Sequence, residues 1–234
     1  MRAQIQKPRA LLFDKDGTLF DFARTWEAWA AAFLTRLANS EAEAAAVGAA
    51  IGFDLAHCQF RTDSIVIAGT PAEVCDALAP HFPDMSRASL LDTLNEEAAR
   101  APQLEAVPLS PLLGALRAGG YKLGVATNDA EGPARAHLSS AGVEEAFDFI
   151  AGFDSGHGAK PGPGQLLAFC DAVDVPSEAC VMIGDSTHDL IAGRAAGMQC
   201  VAVLTGLANA ETLAPLADVV LPDISALPDW LSRF

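Results

Sequence analysis

Short apolar runs alternate with longer stretches of helical spacing along most of the chain. Runs of this length that alternate with helices are typical of parallel strands buried on both faces. Among the helical stretches, 188–197 ends at a glycine and places Leu190, Ile191, Ala195 and Met198 on one apolar face. The pattern predicts an α/β fold with a doubly wound, mainly parallel sheet. The predicted strands are 10–13, 123–126, 149–151, 180–183, 201–204 and 219–221.

Residues 21–100 interrupt this alternation. The strand signal is weak there, and Ala, Leu and Glu recur with helical spacing at 26–38 and 71–82. Three prolines between residues 102 and 111 mark the return to the alternating pattern. We therefore predict two units. Residues 1–20 and 101–234 form the α/β core, and residues 21–100 form an inserted helical domain.

Composition and charge narrow the range of partners. Of 234 residues, 51% are hydrophobic and 19% are charged, which is typical of a globular protein. The formal charge of -15 disfavours nucleic acid and anionic membrane surfaces as partners. Every apolar run ends well short of the roughly 20 residues that span a bilayer, and the apolar stretch before Asp14 is too short for a signal peptide. We expect a cytoplasmic monomer or homodimer.

The cysteines are consistent with that compartment. There are five of them, an odd number without a CxxC pair, and several lie in apolar segments. Such a set is best interpreted as reduced, mostly buried thiols.

Polar side chains follow three of the predicted strands at the point where each strand ends. Ligands of open α/β sheets bind beyond the carboxyl ends of the strands, so we expect these side chains to lie together. Four of them are carboxylates, which would repel one another without a cation, and hard oxygen ligands favour Mg²⁺. Lys160 adds a second positive charge, and a phosphoryl group is the ligand that suits this arrangement. The residues are Asp14, Asp16, Thr127, Asn128, Asp185 and Asp189.

The same residues resemble a known family. DKDGT at 14–18, the threonine of VATN at 125–128, the lysine of AKP at 159–161 and the aspartates of GDSTHD at 184–189 resemble the four motifs of the haloacid dehalogenase superfamily, in order. The resemblance covers most of residues 10–200. It implies a Rossmann-like core, and the position of the helical insertion resembles the cap of the phosphoglycolate phosphatase-like branch.

The resemblance implies a role for each residue. Asp14 would attack phosphorus and become an aspartyl phosphate, and Asp16 would act as general acid and then as general base. Mg²⁺ would be held by the Asp14 and Asp185 carboxylates and the main-chain carbonyl of Asp16. Thr18 would fix the turn, and Asp189 would orient the metal ligands or the lysine from behind. The implied phosphate-binding residues are Lys15, Gly17, Thr127, Asn128 and Lys160.

Each motif also has an ordinary structural interpretation. A DxDG sequence can simply form a turn, and Thr-Asn after a strand can begin a helix. A lysine before proline is most often solvated, and an acid such as Asp189 can interact favourably with the dipole of the helix that it begins. His188 is interpreted as solvated, and Trp26 and Trp29 as packing residues of the insertion. Among the cations of the insertion, Arg61 is the candidate for substrate recognition.

Within the family, the sequence favours a Mg²⁺-dependent phosphatase of a small phosphate monoester, with 2-phosphoglycolate as the first candidate. Asp16 argues against a dehalogenase, because a halide leaving group needs no proton. A phosphonatase would use a lysine of the insertion, and the sequence has none between Lys15 and Lys122. Two alternatives remain: a sugar-phosphate mutase, and a protein that binds a phosphorylated ligand without turning it over.

Overall fold

The computed structural model describes residues 6–61 and 63–234, and a six-stranded parallel sheet carries the fold. The strands stand in the order β5-β4-β1-β6-β7-β8, so the first strand lies at the centre. Its last residue, Phe13, is in register with Val125 on one side and Ile183 on the other. The residues that follow these three strands therefore leave the sheet side by side. The strands are β1 (Ala10–Phe13), β4 (Lys122–Ala126), β5 (Phe149–Ala151), β6 (Cys180–Gly184), β7 (Gln199–Val203) and β8 (Val219–Leu221).

Helices cover both faces of the sheet, which confirms the predicted fold class. Side chains alternate across β1: Leu11 and Phe13 belong to one buried cluster, and Ala10 and Leu12 belong to another that contains Phe169. Both faces of the strand are thus apolar, as the continuous apolar run predicts. The helices of this unit are α5 (Leu109–Ala118), α6 (Glu131–Ser140), α7 (Gly164–Val173), α8 (Thr187–Ala196), α9 (Ala210–Leu213) and α10 (Leu227–Leu231).

The segment between β1 and α5 forms a helical cap with its own hydrophobic cluster. Trp29 stacks on Phe33 at 5.5 Å between ring centroids, and both are buried in this cluster. Thr70 begins α3 with a capping box that it shares with Glu73. The segment also contains a short antiparallel strand pair, which the sequence pattern did not predict. Its elements are α1 (Phe22–Leu37), α2 (Glu41–Ala50), β2 (Phe53–Asp54), β3 (Gln59–Phe60), α3 (Pro71–Leu78) and α4 (Arg87–Arg100).

The predicted apolar face of α8 is confirmed only in part: Leu190 and Met198 are buried, but the other two residues are not. Ile191 is 44% exposed and Ala195 is also exposed. The helix instead packs through small residues: a Cβ added at Gly193 would lie 2.6 Å from Cys200 Sγ on β7. Such a close approach needs glycine or alanine at the contact. The pattern of large apolar side chains therefore does not reveal the contact of α8 with β7. The buried residues of α8 are Asp189, Leu190, Ala192, Gly193 and Ala196.

Two further expectations concerned membrane-spanning segments and the cysteines. Among the described residues, no helix combines the length and the apolar character needed to cross a membrane. The five cysteines are free thiols, and all but Cys58 are buried.

Candidate active site

A buried lysine and three buried carboxylates meet at the carboxyl edge of the sheet. Lys160 Nζ donates to Asp14 Oδ1 and to Asp189 Oδ1, each at 2.6 Å, and to the Ala126 carbonyl at 2.8 Å. Asp185 completes the group, since carboxylate oxygens of Asp14, Asp185 and Asp189 lie within 4.8 Å of one another. The structure thus brings together residues from the first, third and fourth motifs.

The charges of this cluster are not balanced by the chain itself. Burial raises the pKa of Asp14 to about 7, although Lys160 pulls it down. Burial also raises the pKa of Asp185 well above its usual value, and the Asp14 and Asp189 carboxylates add to this effect. Burial disfavours the Lys160 ammonium, but Asp14 and Asp189 hold its pKa above the usual range. One lysine faces three carboxylates, so the site has room for a further positive charge.

The donor set fits a hard divalent cation such as Mg²⁺. Carboxylate oxygens are its preferred protein ligands, and three buried carboxylates beside a single lysine leave negative charge that such a cation would offset. Asp189 is engaged elsewhere: Lys160 occupies Oδ1, while Oδ2 accepts from Ser186 N at 3.0 Å and Ser186 Oγ at 2.7 Å. Its contacts therefore match a supporting residue that holds Lys160 and begins α8.

Two glycines leave space for the Asp185 carboxylate. Gly17 has a φ of 82°, and a Cβ at Gly17 or at Gly206 would overlap the Asp185 carboxyl group. Thr18 Oγ1 donates to Asp185 Oδ1 at 3.2 Å, and Thr205 Oγ1 donates to the Gly17 carbonyl at 2.6 Å. Thr205 and Gly206 were not predicted as site residues, although they follow β7 at the same edge of the sheet.

Thr127 and Asn128 lie beside this cluster. Thr127 is buried, and its Oγ1 accepts from Asp129 N at 3.0 Å. The Asn128 side chain donates to the Lys160 carbonyl and to the Ala68 carbonyl, each at 2.9 Å, and accepts from Lys160 N at 2.8 Å. Asn128 therefore connects the lysine loop of the core with a loop of the cap, a contact that the motif did not predict.

The Lys15 side chain is buried outside the lining of the site pocket. Its ammonium is fully buried and donates to Asp16 Oδ1 at 2.9 Å, and it lies 3.3 Å from Asp129 Oδ2 and 5.4 Å from the centre of the Trp26 ring. Burial disfavours this charge, but Asp16 and Asp129 raise its pKa above the usual value. Because two carboxylates hold the ammonium and Lys15 does not line the pocket, these side-chain contacts do not support phosphate binding by Lys15, which stays a prediction.

His137 continues this buried network to the cap. Its Nε2 lies 2.7 Å from the Ala98 carbonyl and its Nδ1 lies 3.0 Å from Lys15 Nζ. A carbonyl can only accept, so Nε2 carries the proton and Nδ1 accepts from the lysine. Burial, and then the Lys15 charge, lower the pKa of His137 to about 4, while burial raises that of Asp129 to about 6. His137 and Asp129 lie outside the recognised motifs, and no sequence pattern identified them.

A pocket of about 730 Å³, including its open mouth, lies between this cluster and the cap. The packing residues Trp26 and Trp29 line it, and so does His188, which was expected to be solvated. Arg61 does not line it; this arginine is exposed and its Nε lies 3.1 Å from Asp63 Oδ1. The core residues that line the pocket are Asp14, Asp16, Thr127, Asn128, Asp129, Lys160, Asp185, Ser186, His188 and Asp189.

A parallel sheet with a lysine and clustered carboxylates at its carboxyl edge, covered by a helical cap, defines a class of α/β enzymes built to bind a phosphoryl group. Residues 8–197 match the model of a family described as haloacid dehalogenase-like hydrolase. The chain belongs to this family, and the names of its relatives place it among the phosphatases.

Two relatives share the name phosphoglycolate phosphatase. One, from Rhodospirillum rubrum, is 38% identical over 120 residues, a match that covers 51% of this chain and 50% of the relative. The plasmid-encoded protein of Cupriavidus necator is 30% identical over 224 residues, which covers 95% of this chain and 93% of the relative. Among solved structures, CbbY from Rhodobacter sphaeroides in complex with phosphate superposes with a TM-score of 0.68 at 24% identity, covering 94% and 96% of the two chains. This likeness supports the fold.

Proposed function

We propose that this protein is a Mg²⁺-dependent phosphatase that hydrolyses a small phosphate monoester through an aspartyl phosphate on Asp14. One observation carries the proposal: Lys160 bridges Asp14 and Asp189 beside Asp185, at the base of a pocket between core and cap. That arrangement supplies a nucleophile and a fixed cation at one place. The names of the relatives make 2-phosphoglycolate the first compound to test.

In this proposal the Asp14 carboxylate attacks phosphorus and the bond to the leaving alcohol oxygen breaks. Asp16, which also lines the pocket, gives that oxygen its proton. Water then attacks the phosphorus of the aspartyl phosphate, Asp16 takes a proton from the water, and the bond to Asp14 breaks to release phosphate. Lys160 offsets charge on the phosphoryl oxygens, and Mg²⁺ bound by Asp14, Asp185 and the Asp16 carbonyl would supply the further charge neutralisation.

The test is the release of inorganic phosphate from p-nitrophenyl phosphate and 2-phosphoglycolate, with Mg²⁺ and with EDTA. We expect turnover only with Mg²⁺, and we expect Asp14→Asn to lower kcat by at least about 10³-fold, because the nucleophile is lost. Asp171→Asn is the matched control, since it makes the same substitution at an exposed position on α7. Acid quenching during turnover should trap a phosphoryl group on Asp14.

Three results would count against the proposal: turnover that survives EDTA, turnover that survives Asp14→Asn, or a quenched protein without a phosphoryl group. With a hexose phosphate as a third substrate, a mutase would return an isomeric sugar phosphate in place of free phosphate. A protein that only binds its ligand would release nothing from either compound.

A further inference from the structure

The cap side of the pocket is apolar. Aromatic rings from α1 and aliphatic side chains from α3, α4 and the loop before α3 form this wall above the carboxylate cluster. The wall consists of Phe22, Trp26, Trp29, Val66, Ile67, Ala68, Gly69, Pro71, Val74, Leu94, Asn95 and Ala98. The alcohol part of a phosphate ester would contact this wall while its phosphoryl group lies on Asp14 and Lys160.

The wall offers no cation to pair with an anionic alcohol. Among the described residues that line the pocket, Lys160 is the sole lysine or arginine, and Asp14 and Asp189 already hold it. His188 is the other possible cation, but it belongs to the core beside Asp189 and not to the apolar wall. A substrate carboxylate placed against this wall would lose its hydration without gaining a counter-charge, which is strongly unfavourable.

One polar atom of the wall lacks a partner. Asn95 Oδ1 is buried and has no hydrogen-bond partner in the described part of the chain. A buried acceptor without a donor costs free energy, so a hydroxyl or N–H group on the bound molecule would be favoured there.

From these observations we infer that the preferred substrate is the phosphate ester of an uncharged alcohol with an aromatic or branched apolar body, which donates one hydrogen bond to Asn95. The inference rests on the proposed phosphatase activity and names its substrate class. It places 2-phosphoglycolate, whose alcohol part carries a carboxylate, among the poor substrates.

The experiment compares kcat/KM for 2-phenylethyl phosphate and 2-phosphoglycolate with Mg²⁺ present. Both are esters of primary alcohols, so the comparison does not rest on an activated leaving group. We expect 2-phenylethyl phosphate to be favoured by at least about tenfold, the usual size of discrimination in an apolar pocket. One of the three ring-hydroxylated phenylethyl esters should be better still, and Asn95→Leu should remove that advantage.

A pair of arginine variants tests the role of the wall directly. Val66→Arg places a cation in the wall and should lower the preference for 2-phenylethyl phosphate by at least about tenfold. Ile65→Arg is the matched control, because this neighbouring residue is 37% exposed and does not line the pocket, so the preference should change by less than about twofold.

The outcomes separate this inference from the proposed function. If p-nitrophenyl phosphate is hydrolysed but 2-phosphoglycolate is the better of the two alkyl esters, the substrate class is overturned while the phosphatase stands. The same holds if 2-phosphoglycolate turnover depends on His188 and is lost in His188→Gln. Equal rates for all three hydroxylated esters and the unsubstituted one would overturn the contact with Asn95. No hydrolysis of any ester would overturn the proposed function itself.

Discussion

The contacts of the buried His137 predict how the free energy of unfolding depends on pH. The imidazole donates to the Ala98 carbonyl of the cap and accepts from Lys15, so protonation would place a second positive charge beside the ammonium. The carboxylates that face this pair, Asp16 and Asp129, already bind Lys15. Burial and Lys15 therefore lower the pKa of His137 from its usual 6.5 to about 4.

The sign and size of the effect follow from this shift. A base with a lowered pKa in the folded state remains neutral there while it protonates in the unfolded chain. Its contribution to stability is complete above pH 6.5 and is lost as the pH falls toward 4. The limiting loss is about 3 kcal/mol, and by pH 5 it should already be about 2 kcal/mol.

The assay is urea unfolding at pH 7.5 and pH 5 for the wild type and for His137→Gln. Glutamine keeps a donor and an acceptor but takes up no proton, and every other titrating group is the same in both proteins. The free energy of unfolding of the wild type should therefore fall by about 2 kcal/mol more than that of His137→Gln. His81→Gln, at an exposed histidine, should fall like the wild type. Parallel loss in the wild type and His137→Gln would refute the assigned network.

Two further substitutions probe the neighbouring contacts. Gly206→Ala should lower kcat/KM by at least about 100-fold, because the added Cβ must displace the Asp185 carboxylate, whereas Gly114→Ala, with no atom within 4 Å of the new Cβ, should leave it unchanged. Lys15→Met should cost about 3–5 kcal/mol in urea unfolding because it leaves buried carboxylates unpaired, and adding Asp129→Asn should recover much of this loss. Full activity in Gly206→Ala, or no recovery in the double variant, would contradict these assignments.

The sequence predicted the parts of the fold that depend on local pattern. Continuous apolar runs identified the buried parallel strands, and polar residues after three of them identified the edge of the sheet where Asp14, Lys160 and Asp185 lie. These predictions succeed because the side-chain period of a strand and the position of its end are local properties. The buried face of α8 was predicted only in part: Leu190 and Met198 are buried, but small residues such as Gly193 form the contact with β7, and a search for large apolar side chains overlooks them.

Contacts between distant segments could not be predicted in this way. His137 lies on α6 with no periodic or motif signal, and its role depends on where the cap places the Ala98 carbonyl. The role of Asn95 could not be predicted either, because its oxygen is buried only when the other residues of the wall pack around it. Both follow from the packing of cap on core, which the order of residues along the chain does not reveal.

The two buried lysines differ in a way that strand alternation does not predict. β1 ends at Phe13, and Lys15 lies in a bend after the strand, so the alternation of strand side chains does not determine its direction. Both Asp14 and Asp16 line the pocket, and Lys15 does not. Its ammonium is buried outside the pocket lining, where a charge requires partners, and Asp16 and Asp129 supply them. Lys160 comes from a separate loop and reaches the pocket side, which is why only one of the two lysines is available to a phosphoryl group.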